Sequence, residues 1–284
     1  MPSYPPPSST VQSARAAIAD RLREILRDSP LTGAQLAQAA GWNPSKTSRI
    51  INAITTPSGP DITTWCRLCG VPEQADDLVA ASESVESLYV QWRRVQRSGL
   101  RVAQESVVPL YQRTERFRIY TSNVIPGFLQ SSEYALALLG SITRFRGIRN
   151  DVAEAVQARL ARARLLRKPG HSFAFLIEQS VLTYLISDRS TMVAQLGRLL
   201  TLMELPAVSV GIVPALAPRP MWPVETYMIF DDDQVFVELL SASVTVKAPS
   251  EIQIYTSAFA ETARLAVYGA QARALIHNAM EMLG

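Results

Sequence analysis

At 284 residues with 48% hydrophobic content, the chain exceeds a single typical domain and has ample apolar material for packed cores. The net charge is only +3, and residues 1–70, with seven Lys or Arg against four Asp or Glu, carry all of it. No apolar run reaches about eighteen residues, and the opening MPSYPPPSST lacks a signal-peptide pattern, so the sequence predicts a soluble, cytoplasmic protein with no membrane partner.

The Pro- and Ser-rich start predicts a disordered tail over residues 1–12. A DNA-binding head is expected over 13–72. Its first helix carries Ile18, Leu22, Ile25 and Leu26 at helical spacing, flanked by Arg15, Arg21, Arg23 and Arg27. The stretch from Leu31 to Ile54 then reads as two short helices joined by a tight turn. Thr32 and Gln35 form a T-x-x-Q capping box, Leu36, Ala37 and Ala40 make a small apolar face, and Gly41 ends the first helix. Asn43 and Pro44 supply a cap and a preset first position for the second helix. Spacing turns Thr47, Ile50 and Ile54 inward and leaves Ser45, Lys46, Ser48, Arg49 and Asn52 outward, a face that can donate and accept hydrogen bonds and holds no acid.

Double-stranded DNA is the partner this face suits. The forked guanidinium of Arg49 can grip guanine, Lys46 supplies a point charge for phosphate, and Gln35 lies where the preceding helix would cross the backbone. Together with Asn43, these residues are the predicted DNA-reading set. The alternative, a polar outer face on an ordinary helical pair, has the same spacing. A short helix from Asp61 to Cys69, with Ile62, Trp65, Leu68 and Cys69 inward, closes the head. Cys66 and Cys69 form a C-x-x-C, yet no other cysteine exists and His171 and His277 are remote, so burial as small apolar groups is expected and no metal site is assigned.

A helical bridge is predicted over 73–115, with an apolar face at Leu78, Val79, Val85, Leu88, Tyr89 and Trp92 up to Ser98, followed by a second helical run to about Tyr111. The body, residues 116–284, is expected to be mixed α+β with a small antiparallel sheet. FRIYTSNVI begins it as a strand, and IPGFLQSSEYALALL gives a turn and a helix opened by Ser131 or Ser132. A regular helix over 151–167 places Val152, Val156, Leu160 and Ala163 on one face and is densely basic on the other. Arg159 and Arg162 there are candidates for an effector or partner, against the alternative of a solvated face with local ion pairs. HSFAFLIEQ and VSVGIVP read as strands around a helix from Thr191 to Glu204; ETYMIF and QVFVELL read as a hairpin with Asp231 to Asp233 at its tip. The ALAPRPMWPVE loop offers Arg219 and Trp222 as the mouth of a pocket or, equally, as a rigid surface loop. Two helices end the chain, the first opened by an S-x-x-Q box at Ser250 and Gln253, with Gly269 between them.

Catalysis is not expected. The chain has no G-x-S-x-G, G-x-x-x-x-G-K-[ST] or H-E-x-x-H, and Glu178 and Glu238, the candidate carboxylate pair, read more simply as structural strand residues. No cofactor is implied.

The head resembles the lambda-repressor-like, XRE-type helix-turn-helix domain, its SKTSRI run being similar to the SxSxxSRIExG form of that recognition helix, with Ile51 where the pattern has Glu and Ala53 where it has Gly. Over most of the chain, from about Ile18 to Met280, the sequence resembles the actinobacterial WhiJ-like group of XRE-type regulators. The markers in order are SKTSRI, IPGFLQSSEYA, VAEAVQARLARARLL, FLIEQSVL, LPAVSVGIVP, VFVELLSASVTVKAPSEIQIYTSAF and AVYGAQARALI. That resemblance implies DNA-binding transcriptional regulation, commonly with a small partner protein encoded nearby. A homodimer reading two half-sites is the expected assembly. The alternative is a small-molecule receptor or docking protein whose DNA binding is conditional.

Overall fold

The computed structural model describes residues 7–240 and 243–284, and within them the side chains of residues 16–82, 99–240 and 243–284. By internal contacts the chain forms two units, one of residues 1–91 with 245–252 and one of residues 92–244 with 253–284.

Unit 1 is helical. Helix α1 spans Pro7–Asp28, so residues 7–12, assigned to the tail on composition, are helical, while residues 1–6 lie outside the described residues. Proline at position 7 is compatible with a helix start, where its missing N–H costs nothing. Helices α2 (Gly33–Ala39), α3 (Pro44–Ile51) and α4 (Gly59–Leu68) follow. The Thr32–Gln35 capping box forms as expected, Asn43 caps α3 with Pro44 at its start, and Ser58 with Asp61 forms a second box on α4. Leu22, Leu36, Ile50, Ile62, Trp65 and Cys66 meet in one core, where the Trp65 indole donates to Leu22 O at 3.2 Å. Both cysteines are buried and unpaired, and burial pushes the Cys66 thiol up to about 11, which suppresses the reactive thiolate.

Helix α5 (Ala75–Ser106) carries the predicted bridge; Val85, Leu88, Tyr89 and Trp92 lie outside the residues whose side chains are described. The helix breaks at Gly99, whose φ of 83° and ψ of 171° fall in a region essentially confined to glycine. Beyond the break the Asp151 carboxylate accepts from the backbone amides of Leu100 and Arg101, both at 2.9 Å, and caps the restarted helix. A Cβ on residue 99 would stand 2.3 Å from an Asp151 oxygen.

Unit 2 is built on a six-stranded sheet in the order β3-β2-β1-β4-β5-β6. Its strands are β1 (Arg116–Thr121), β2 (Ser172–Glu178), β3 (Val208–Val213), β4 (Tyr227–Phe230), β5 (Gln234–Glu238) and β6 (Ser243–Val246). The head of helices followed by an α+β domain is as predicted, and the antiparallel part holds for β1, β4 and β5. Strands β1, β2 and β3 pair in parallel, because helices stand between them: α7 (Ser132–Arg146) and α8 (Val152–Arg162) between β1 and β2, α9 (Arg189–Leu202) between β2 and β3. The Asp231–Asp233 tip forms the β4–β5 turn, where Asp232 pairs with Arg116 at 2.8 Å and Arg118 at 2.6 Å.

Register separates the two faces of this sheet. Phe117, Ile119, Phe173, Phe175, Met228 and Phe230 point to one face and pack with α9, α11 (Gly269–Leu283) and the short helix α6 (Val108–Arg113) in the main core. Tyr120, Leu176, Glu178 and Tyr227 point to the other. The S-x-x-Q box at Ser250 does not form: Pro249 takes the first position of α10 (Pro249–Leu265), so Ser250 falls inside the helix and its hydroxyl donates to Asp77.

Candidate functional site

The helix-turn-helix presents most of the predicted face. The chain reverses between α2 and α3 at Gly41, whose φ is 68°. Thr47 and Ile50 are buried, whereas Asn43, Ser45, Ser48, Arg49 and Asn52 are exposed. Several of these groups are already oriented by local bonds. Asn43 Oδ1 accepts from the Ser45 amide at 3.0 Å and the Ser45 hydroxyl at 2.8 Å, and Asn52 Nδ2 donates to Ser48 O at 2.8 Å, which leaves the Asn52 oxygen outward. Gln35 Oε1 accepts from the amide and hydroxyl of Thr32, both at 2.9 Å, so its amide nitrogen is the group left to donate. The Arg49 guanidinium makes no hydrogen bond or ion pair among the described residues and is the free cation of the face.

Two residues depart from the sequence reading. Ile54 was expected inward and is 72% exposed. Helix α3 ends at Ile51, and Ala53 takes a left-handed φ of 55°, so the chain has already turned and helical spacing no longer applies. Lys46 was expected as a free phosphate contact. Instead its ammonium is half-buried, 2.6 Å from Asp61 and 4.6 Å from the centre of the Trp42 ring. Burial pushes the Asp61 carboxyl upward, but hydrogen bonds from Lys46 and Ser58 outweigh it and hold the group below its ordinary value. Asp61 occupies the third position of its own capping box, which aims its carboxylate at the start of α3; the sequence carried both halves of this pair without their proximity.

The four effector candidates fall into two places. Arg159 and Arg162, on successive turns of α8, lie on the side of the sheet that carries Phe117 and Phe230. Arg162 stands over the Tyr111 ring at 5.3 Å, and that ring packs on Phe117 at 5.7 Å and Phe230 at 5.5 Å. Arg159 donates to Gln104 Oε1 at 3.1 Å and to Gln130 Oε1 at 2.7 Å, and Arg162 donates to the same Gln104 oxygen. Gln130 Nε2 donates to Ile125 O at 2.7 Å, which fixes the amide so that its oxygen faces Arg159. Burial, then the neighbouring Arg162 charge, pulls Arg159 down to about 10, still protonated at neutral pH. The solvated-face expectation does not hold for these two arginines, since i, i+3 spacing turns them toward α5 and α6 rather than outward.

Arg219 and Trp222 lie apart from that pair. Arg219 forms a two-point ion pair with Glu178, at 2.9 and 2.5 Å, and Tyr120 donates to Glu178 at 2.9 Å, all on the opposite face of the sheet. Arg219 therefore already holds its anion, and the Trp222 side of the loop is open, with that residue 75% exposed. Glu178 and Glu238 do not form a carboxylate pair. Glu178 is 6% exposed and engaged as above, while the exposed Glu238 carboxylate stands 3.7 Å from Arg146. Gln104 and Gln130, which carry the arginine pair, were missed by sequence reading; Gln130 sits in the quoted IPGFLQSS run, but an amide in a loop gives no sign of what it faces.

Among the described residues no helix is long and apolar enough to cross a membrane. No curated protein matches the chain. Among solved structures, TrmBL2, described as an archaeal chromatin protein with a novel mode of DNA binding, is similar over 89% of this chain and 93% of that one, at 12% identity. The TM-score of that likeness is 0.29. Residues 17–79 match the family model of a helix-turn-helix domain, which supports DNA binding by the head. Residues 104–278 match a domain of unknown function, DUF5753, and this match over more than half of the sequence makes the chain a member of the DUF5753 family with a helix-turn-helix domain ahead of it.

Proposed function

We propose that the protein is a sequence-specific DNA-binding transcriptional regulator of the XRE type, close to the actinobacterial WhiJ-like group, acting in the cytoplasm as a homodimer. The observation that carries the reading is the exposed face of α3, where Ser45, Ser48, Arg49 and Asn52 stand outward and Arg49 has no partner among the described residues, within a segment that matches a helix-turn-helix model. In this reading Arg49 contacts a base edge, Gln35 and Asn43 orient the head on phosphates, and Lys46 braces the motif through Asp61. The 104–278 domain is read as a non-catalytic effector or partner-binding module; the commitment of Glu178 to Arg219 and Tyr120 supports this, as does the arginine pair on α8. A small partner protein encoded nearby is the expected macromolecular partner, from the resemblance of the marker order.

Genome-wide recovery of DNA bound by the full chain, followed by titration of a recovered site, tests the reading. Arg49→Ala is expected to weaken that site by about 1–3 kcal/mol and to relax preference at one base position. Failure to enrich any fragment, with or without the neighbouring gene product, overturns it.

A second reading, DNA binding conditional on an effector, is favoured by Arg159 and Arg162, which have no carboxylate within ion-pair distance among the described residues. Operator gel shifts with and without the co-purified partner separate it from the first.

A further inference from the structure

We propose that Arg159 and Arg162 form a binding site for a phosphate-type dianion, either inorganic phosphate or the phosphate group of a small metabolite. The inference rests on the effector part of the reading above and is independent of its DNA part.

Two guanidinium groups on successive turns of one helix repel each other, and partial burial removes much of the water that would screen them. Proteins ordinarily meet such a cost with a carboxylate, as Glu178 does for Arg219. At Arg159 and Arg162 no carboxylate oxygen lies within ion-pair distance among the described residues, and the acceptors are two neutral amide oxygens, one of them shared. The Arg162 Nε–H is buried without an acceptor among the described residues. The nearest acidic influence on Arg159 comes from Glu238, which stands 3.7 Å from Arg146. Two positive charges and an orphaned donor thus wait for an acceptor from outside.

The surroundings are held in place before any ligand arrives. Gln130 is fixed by Ile125 O; the next residue in the loop, Ser131, donates its amide to the buried Gln195 at 2.6 Å, and Gln195 donates back to Leu129 O at 2.9 Å. On the other side Gln104 belongs to the short helix that Asp151 caps. Gly127 stands beside the Arg159 guanidinium, its absent Cβ leaving 3.8–3.9 Å to the Cδ, Nε and Cζ atoms. Both arginines are of intermediate exposure, so part of each remains in contact with solvent. Forked guanidinium donors match a tetrahedral oxyanion at two points each, and a dianion balances two charges where a carboxylate balances one.

The test uses the DNA-free full chain, with thermal unfolding and calorimetric titration at matched ionic strength in chloride, in inorganic phosphate and in glycerol phosphate. Phosphate or the monoester is expected to raise Tm by several degrees over chloride and to titrate with one site per chain. Tighter binding of the monoester identifies a phosphorylated metabolite as the source; equal or better binding of phosphate identifies the free ion. Arg159→Gln and Arg162→Gln should each abolish the response and leave Tm in chloride unchanged or higher, because a like charge is removed, whereas Arg144→Gln, at an exposed residue on α7, keeps it. If a glutamine variant fails to fold, Arg162→Lys retains the charge without the fork and should lose at least about tenfold in affinity. Indifference to phosphate over chloride, a response that survives Arg162→Gln, an affinity left unchanged by Arg162→Lys, or saturation by a poly-glutamate peptide but not by phosphate overturns the proposal.

Discussion

The two faces of the sheet treat partly buried arginine in opposite ways. On one, Arg219 meets Glu178 at two points while Tyr120 supplies a third bond, and the cluster is electrically closed. On the other, Arg159 and Arg162 share neutral amides and remain two charges short. A guanidinium that finds its carboxylate within the chain is part of the scaffold. One that is drawn from water without such a partner marks a place where the chain depends on something it does not encode. The head repeats the contrast on a smaller scale: Lys46 is tied to Asp61, and Arg49 three residues later is free.

The strongest way to break this comparison is Glu178→Ala, which strands Arg219 and should cost about 3–5 kcal/mol in chemical denaturation. A loss comparable to that of an ordinary surface substitution would show that the cluster is not closed as described. In the head, Ala53→Gly relieves a left-handed backbone position at the end of α3 and is expected to stabilise by about 1 kcal/mol, read as a higher denaturation midpoint with an unchanged slope. The smallest effect is that of Lys46→Met, under about 1 kcal/mol near neutral pH, since the pair is partly exposed. Its sign with pH sharpens the contrast between Lys46 and Arg49. The Asp61 carboxyl is held below its unfolded value, so its contribution is present above that value and is lost as pH falls through the folded one. The gap between wild type and variant should therefore close in acid, as followed by urea titrations at several pH values, and a gap that persists would detach Lys46 from Asp61.

What could be read from sequence was what depends on near neighbours in the chain. The Thr32–Gln35 box, the Asn43–Pro44 start, the buried cysteines of α4 and the β4–β5 turn are all settled within a few residues, and all are found. The misplacement of Ile54 came from extending helical spacing across Ala53, whose left-handed turn its side chain does not announce. The parallel pairing of β1 with β2 spans α7 and α8, beyond the reach of strand periodicity. For the candidate sites the divide is the same. Arg49 could be placed by spacing alone, but Lys46–Asp61, Glu178–Arg219 and the two glutamines beneath α8 join residues 15 to 58 positions apart. Charge distribution flagged the basic stretch over 151–167 without revealing that Arg159 and Arg162 turn inward.

Gly99 and Asp151 make one choice between them. The carboxylate lies where any larger residue at 99 would put its first carbon, and the same carboxylate caps the start of the renewed helix that carries Gln104 beneath the two arginines. Among relatives, these two positions should therefore change together or stay fixed together, and a lineage that replaces the glycine alone should also forfeit the alignment of the glutamine. An alignment of sequences that carry both domains and the segment between them can thus be searched for the integrity of this arginine pair at two positions that never touch its ligand.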